Sequence, residues 1–192
     1  RSLQEFIAVV VDWFGTNKFD PAKVEFGFGK ESPLPGWRLP LENGRALIVH
    51  GRLDRIDIHR KTESEAYCIM LDYKSGLQKP DRTLLHHAVQ QQLPAYLLAM
   101  TRVEEIATHF GVQKLHPAGC FLIPLGARYQ RGKTRREVIG DSGQARRSAY
   151  THGGIFDVDC LNLLDSGAPD ERSDQFDFRI KIDGSPYAAS FN

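Results

Sequence analysis

Asp72 and Lys74 stand two residues apart at the end of the apolar run Tyr67-Cys68-Ile69-Met70-Leu71. Side chains at i and i+2 of a β-strand share a face, so the acid and the lysine project together while Tyr73 points the opposite way. Asp54, in the segment Gly51-Arg52-Leu53-Asp54-Arg55-Ile56-Asp57, falls on the strand just before, across a charged turn at residues 60–65. Two carboxylates placed in this way can clasp one divalent cation. A strand-end lysine beside that cation can position or deprotonate a water. The combination suits metal-dependent phosphodiester hydrolysis, because the metal offsets developing negative charge and lowers the pKa of the attacking water. Each aspartate also has a plainer role open to it, as an exposed strand or turn carboxylate or as the partner of Arg52 or Arg55.

Positioning these groups takes a sheet and at least one helix. Leu3, Phe6, Ile7, Val10, Val11 and Phe14 recur at helical spacing behind a capping box at Ser2 and Glu5, and predict a first helix running to about Gly15. Val24, Phe26 and Phe28 alternate with Lys23, Glu25 and Gly27, the period of a half-buried strand over residues 22–29. A loop rich in Pro and Gly follows at 32–36. Residues 45–59 and 66–74 predict two more strands joined as an antiparallel meander, with Ile48, Asp54, Ile56 and Ile58 on one face of the first. An acid among isoleucines is costly unless it has a partner. Residues 83–110 read as helical, interrupted at Pro94, where the missing amide kinks the helix or begins a second one. A short apolar strand is expected at 119–125, and a late strand at 176–182 ends in the turn Asp183-Gly184-Ser185-Pro186. The order is α-β-β-β-α-β. No internal repeat and no second-domain boundary is visible, so residues 1–192 are expected to form one domain.

Composition narrows the partners. A chain of 192 residues, 41% hydrophobic and 26% charged, can bury a sizeable core. A formal net charge of +1 creates no global field toward a polyanion, so any nucleic-acid surface must be a local patch. Cys68, Cys120 and Cys160 lie far apart without C-x-x-C spacing. Cys68 and Cys120 are expected as small core residues, and an odd number of thiols without disulfide spacing fits a reducing compartment, the cytoplasm. No apolar run approaches the ~18 residues needed to span a membrane, and no signal peptide is visible. The chain opens on Arg rather than Met and stops abruptly after Ala189-Ser190-Phe191-Asn192, which suggests a fragment of a longer protein.

Three segments together carry a family resemblance: Gly51-Arg52-Leu53-Asp54-Arg55-Ile56-Asp57, then Asp72-Tyr73-Lys74-Ser75-Gly76, then Gln92-Leu93-Pro94-Ala95-Tyr96-Leu97. They resemble the RecB-type branch of the PD-(D/E)XK nuclease superfamily, and within it the C-terminal nuclease domain of AddB-like proteins, whose helicase half is often described as inactivated. The resemblance covers residues 24–125 and, more weakly, the tail at 176–186. It implies a restriction-endonuclease-like α/β core with a mixed central sheet flanked by helices. It further implies a Mg2+- or Mn2+-dependent (exo)deoxyribonuclease acting on DNA in recombination and double-strand break repair, within a helicase–nuclease complex that includes a partner subunit. Position by position, Asp54 and Asp72 would be metal ligands and the backbone carbonyl of Tyr73 would complete the shell. Lys74 would orient or activate the water. Gln92 and Tyr96, at i and i+4 of the following helix, share a face and can reach Lys74 or a DNA phosphate. The RecB branch often adds a His or an acid from the first helix; here Glu5 and Asp12 on that helix and Glu25 on the first strand are the candidates. Related AddB proteins also commonly carry a cysteine cluster for an iron–sulfur centre, and three scattered cysteines cannot supply four grouped thiolates.

The rival reading keeps the same fold as a DNA-binding or scaffolding module with little catalysis; intact Asp54, Asp72 and Lys74 argue against it. A glycosidase built on paired carboxylates leaves Lys74 without a role. Arg128, Arg131, Lys133, Arg135, Arg136, Arg146 and Arg147 cluster in one segment and either track a DNA backbone or form a solvated loop. His86 and His87 are expected as surface residues pointing apart. Gly27-Phe28-Gly29-Lys30 lacks the rest of a phosphate-binding loop.

Overall fold

The apolar run at residues 67–71 becomes the middle of a five-stranded sheet. The computed structural model describes residues 2–76, 78–102, 104–126, 134, 142–167, 172–179, 181–183, 185 and 187; within its helices the side chains of Ser2, Arg82, Glu104, Ser142, Gln144, Ala145 and Arg146 are not described. The elements are α1 (Ser2–Trp13), β1 (Asp20–Phe28), β2 (Trp37–Pro40), β3 (Ala46–Val49), β4 (Gly51–Arg60), β5 (Glu65–Lys74), α2 (Arg82–His86), α3 (Gln92–Arg102), β6 (Lys114–Pro124), α4 (Ser142–Ala149), β7 (Gly153–Phe156) and α5 (Leu161–Leu164), with 3-10 turns at Glu42–Gly44, Glu104–Phe110 and Val158–Cys160. The strand order is β1-β4-β5-β6-β7. β1, β4 and β5 form the expected antiparallel meander, β6 pairs parallel to β5, and β7 returns antiparallel. A parallel neighbour requires a long crossover, and that crossover carries α2 and α3. The expected α-β-β-β-α-β order is present as α1-β1-β4-β5-α3-β6.

Both faces of the sheet are covered, which is why β5 reads as a continuous apolar run rather than an alternating one. On one face Ile56, Cys68, Met70, Cys120 and Leu122 pack with Leu93, Ala99 and Met100 of α3 and with Ile106 and Phe110. On the other, Ile69, Leu71, Phe121 and Ile123 pack with Phe6, Val9 and Trp13 of α1, with Leu161 and Leu164 of α5, and with Phe176 and Phe178. All three cysteines are buried within these layers.

Several expectations need correction. The expected apolar face of α1 is mostly wrong: of its six residues Phe6 is buried and Val10 partly so, whereas Leu3, Ile7, Val11 and Phe14 remain 62%, 52%, 61% and 42% exposed, and the buried face is completed by Val9 and Trp13. The helix is apolar on nearly every side, so periodicity does not choose the buried face, and the largest ring, Trp13, packs inward against His152. The strand expected over 45–59 is two strands in two sheets. β3 pairs with β2 in a separate ribbon, and the chain changes sheets at His50. Gly51 permits the change, because a Cβ there would lie 2.5 Å from the Phe28 ring.

The helix expected over 83–110 breaks at residues 87–91, where Ala88 adopts a left-handed φ of 58°, and not at Pro94. Pro94 sits in the first turn of α3, where backbone amides have no helical partner to lose. The short strand expected at 119–125 extends back to Lys114, with Pro117 accommodated beside a register shift. Among its described residues the late strand expected at 176–182 makes only isolated bridges, His152 with Phe176 and Arg172 with Arg179; β7 pairs with β6 in the sheet instead.

Candidate active site

The end of the β4–β5 hairpin brings the two aspartates together. Arg55 pairs with Leu71 at the end of the antiparallel ladder, and just beyond that pair the Asp54 charge acts on the Asp72 carboxyl. Asp54 is fixed by its neighbour's backbone, since the Tyr73 amide donates to Asp54 Oδ2 at 2.8 Å. Asp72 is 4% exposed, and Met70 and Cys120 pack in the same layer beneath it. Tyr73 turns its ring to the opposite layer, edge-on to Phe6 at 6.4 Å, as strand alternation requires.

Lys74 leans back over Asp72, its Nζ 2.5 Å from Asp72 Oδ2. The contact is a close ion pair, so the Lys74 ammonium is the partner of this buried carboxylate oxygen. Gln92, the first residue of α3, completes the arrangement. Its Oε1 accepts from Lys74 Nζ at 2.8 Å, and its Nε2 donates to Asp72 Oδ1 at 2.6 Å and to the Tyr96 hydroxyl at 2.9 Å. The Tyr96 hydroxyl in turn donates to the Arg52 carbonyl at 2.8 Å. One chain of polar contacts thus runs from the start of β4, through α3, to the end of β5.

Burial pushes the Asp72 carboxyl above its ordinary range; the Lys74 ammonium and the Gln92 amide pull it down, and the Asp54 charge adds to the rise. Burial likewise pushes the Tyr96 phenol up, with Asp72 and Asp54 adding to the effect, so the hydroxyl keeps its proton and remains a donor to Arg52. A small divalent cation would relieve the mutual repulsion of two neighbouring carboxylates, one of them buried. In that respect the donor set fits a hard metal ion. Among the described residues no third His, Cys, Asp or Glu side chain joins the pair. Glu25 is ion-paired with Arg52 at 3.1 Å, Asp12 with Arg147 at 2.9 Å, and Glu5 lies on the Tyr150 side of α1.

The remaining expectations divide. The basic residues Arg128, Arg131, Lys133, Arg135 and Arg136, and the side chain of Arg146, lie outside the described residues; Arg147 is committed to Asp12 and, at 3.6 Å, to Asp174. His86 and His87 are exposed, but their rings touch edge-on at 5.2 Å instead of pointing apart, because His87 closes the helix and is no longer part of it. Gly29 has a φ of 127° and begins a turn in which the Lys30 amide donates to His50 Nδ1. The alternative of Arg55 as the partner of Asp54 does not hold: Arg55 grips Asp57 with two contacts of 2.6 Å on the opposite face.

Sequence reasoning missed two backbone groups of the site, the Tyr73 amide that holds Asp54 and the Arg52 carbonyl that holds Tyr96. Main-chain atoms carry no residue-type signal. Only the register between β4 and β5, read as a hairpin, points to the first.

Comparison with known proteins follows the same outline. Residues 2–175 match the family model of the PD-(D/E)XK nuclease superfamily. The chain is 29% identical over 192 residues to a subunit of the ATP-dependent helicase/deoxyribonuclease of Moorella thermoacetica, covering 96% of this chain and 16% of that protein. To the protein of the same name from Pelotomaculum thermopropionicum it is 28% identical over 202 residues, covering 99% and 16%. To that of Desulforudis audaxviator it is 34% identical over 105 residues, covering 55% and 9%. The chain thus spans about a sixth of the length of the first two relatives. The mixed sheet, its crossover helix and the match over residues 2–175 agree, and the chain belongs to the PD-(D/E)XK nuclease superfamily.

Proposed function

We propose that this chain is a metal-dependent DNA nuclease domain that hydrolyses phosphodiester bonds with Mg2+ or Mn2+. In this reading residues 1–192 form one domain of a longer, cytoplasmic helicase–nuclease polypeptide that works with a partner subunit in recombination and double-strand break repair. The observation that carries the reading is the buried Asp72 carboxylate, held by the Lys74 ammonium and the Gln92 amide and close enough to Asp54 to feel its charge. Burying one carboxylate beside the charge of another costs stability, and groups retained at that cost concentrate at functional sites. The names of the relatives support DNA as the substrate and a helicase context.

Asp54 and Asp72, with the Tyr73 carbonyl, hold the cation. Bound there, it supplies charge to the scissile phosphate and acidity to a water. The Tyr73 amide keeps Asp54 from rotating away. Lys74 Nζ stands where it can hold the attacking water or meet charge that develops on the phosphate, and Gln92 Oε1 aims it. Tyr96 locks the Gln92 amide, so that the acid, the amide and the lysine move as one unit. Among the described residues no helix is long and apolar enough to cross a membrane.

Asp54→Asn and Asp72→Asn test this directly. Calorimetric titration with Mn2+ should show each weakening metal binding at least tenfold, with cleavage of linear DNA falling in step. Parent-like cleavage by both variants refutes the assignment.

A further inference from the structure

We infer that the groove between the β2–β3 ribbon and the second half of α3 is a track for single-stranded nucleic acid leading into the site. The inference rests on the nuclease reading above and extends it to residues that reading does not use.

The groove has a volume of about 590 Å³. That is the size of a small-ligand pocket, about 300–1,000 Å³, and suits unstacked nucleotides rather than a duplex. One wall is Trp37, Arg38 and Leu39 of β2; the other is Leu98 and Arg102 of α3 with Glu105 beyond it. Trp37 is rooted in the core layer beneath, so its indole is held in place where it lines the groove. Leu98 is 44% exposed. Arg38 and Arg102 are exposed, and among the described residues neither has an acidic partner. An anchored aromatic side chain and two arginines lining one groove are the combination that holds a single strand: bases stack on the ring, and phosphates meet the cations without regard to sequence. An apolar peptide would leave both arginines unanswered.

Position gives the direction. Each wall is continuous with an element of the site. The ribbon passes through His50 directly into Gly51 and Arg52, whose carbonyl anchors Tyr96, and α3 begins at Gln92. From Gln92 to Arg102 the helix rises about 15 Å, so more than one nucleotide spans the distance between the Asp72 carboxylate and the far end of the groove. Among the described residues Glu105 is the one acid lining the groove, and it should oppose binding.

The chain has two tryptophans, and Trp13 is 3% exposed, so a fluorescence change on adding a strand reports Trp37. With EDTA present to prevent cleavage, a 12-nucleotide oligothymidylate should quench tryptophan emission, and a dinucleotide should do so only weakly. Trp37→Phe should remove the quenching and weaken binding about fivefold or more. Arg38→Gln and Arg102→Gln, both on the surface, should together flatten the salt dependence of binding by about 1.4 in log–log slope, and Glu105→Gln should tighten binding. Absent quenching, or parent-like affinity and salt slope in the arginine pair, would overturn the proposal and leave the groove to a protein partner. Asp72→Asn separates this from the nuclease reading, since it should abolish cleavage and leave the quenching intact. Cleavage surviving in Asp72→Asn sinks the catalytic assignment alone, whereas neutral groove variants beside an inactive Asp72→Asn sink the track alone.

Discussion

Replacing Lys74 by Met should strengthen metal binding while destroying cleavage. In the structure the ammonium occupies the position of a cation, 2.5 Å from Asp72 Oδ2. A divalent ion approaching Asp72 must displace or share that oxygen with Nζ. At about 4 Å separation, two unit charges repel by about 1 kcal/mol even at the dielectric constant of water, so a dication and an ammonium oppose each other by at least about 2 kcal/mol. Methionine keeps the length of the side chain and removes this repulsion, and at about 1.4 kcal/mol per decade Mn2+ affinity should rise roughly thirtyfold. Protonation sets the condition. Lys74 holds the Asp72 carboxyl down against the effect of burial, so without it the acid stays protonated to higher pH, and a proton then competes with the metal. The gain should therefore be full at pH 8 and shrink as the pH is lowered through the raised pKa. Isothermal titration with Mn2+ at both ends of that window measures it, and cleavage of linear DNA at pH 8 should fall by at least about a hundredfold. Equal or weaker Mn2+ binding by the variant at pH 8 would show that Lys74 does not contend for the metal position. Undiminished cleavage would remove it from the chemistry.

Three other outcomes follow from contacts already described. Gln92→Leu keeps both carboxylates but frees Lys74 and Tyr96; Mn2+ affinity should stay within about threefold of the parent while cleavage drops about a hundredfold through lost alignment, as single-turnover assays will show. Asp57→Ala strands the largely buried Arg55 guanidinium and should cost about 3–5 kcal/mol in urea unfolding, with no specific loss of metal binding by the fraction that remains folded. His152 is fully enclosed, with Nδ1 donating to the Tyr150 carbonyl, and burial lowers its pKa to about 4. The unfolded chain therefore takes up a proton near pH 6.5 that the folded one refuses. The neutral ring's contribution is complete above about pH 6.5 and is lost as the pH falls toward 4, up to about 3 kcal/mol. Thermal melts across that range should lose this slope in His152→Asn, whatever the variant's baseline stability.

The part of the fold that was legible in the sequence is the part built from local pattern. Alternation and apolar runs place β1 and β5 within two residues and the far end of β4 within one, and the short turn between β4 and β5 makes them a hairpin. Once they are a hairpin, Asp54 and Asp72 must meet. Helical spacing likewise places Gln92 and Tyr96 on one face. What escaped depends on long-range geometry. Residues 45–59 keep an uninterrupted strand-like pattern through His50, and only the collision awaiting a Cβ at Gly51 reveals that the chain changes sheets there. The break before α3 falls at Ala88, a residue with no preference for a left-handed φ, while Pro94, the visible breaker, is harmless in a first turn. In α1 the hydrophobicity is too evenly spread for periodicity to pick a face, and Trp13 settles the matter through a residue more than a hundred positions away, His152.

Tyr73 divides its labour between two sides of the sheet. Its amide belongs to the carboxylate face, and its ring belongs to the layer under α1, where it meets Phe6 and, at 3.5 Å, the Arg55 guanidinium. Any residue other than proline offers the same amide, so the chemistry places almost no demand on the side chain at this position. Its identity is free to change in concert with Phe6 and Phe14 as the α1 layer is reshaped. The two faces of β5 can therefore diverge on separate schedules: one is held by the contacts among Asp54, Asp72, Lys74 and Gln92, and the other drifts with whatever surface α1 must present.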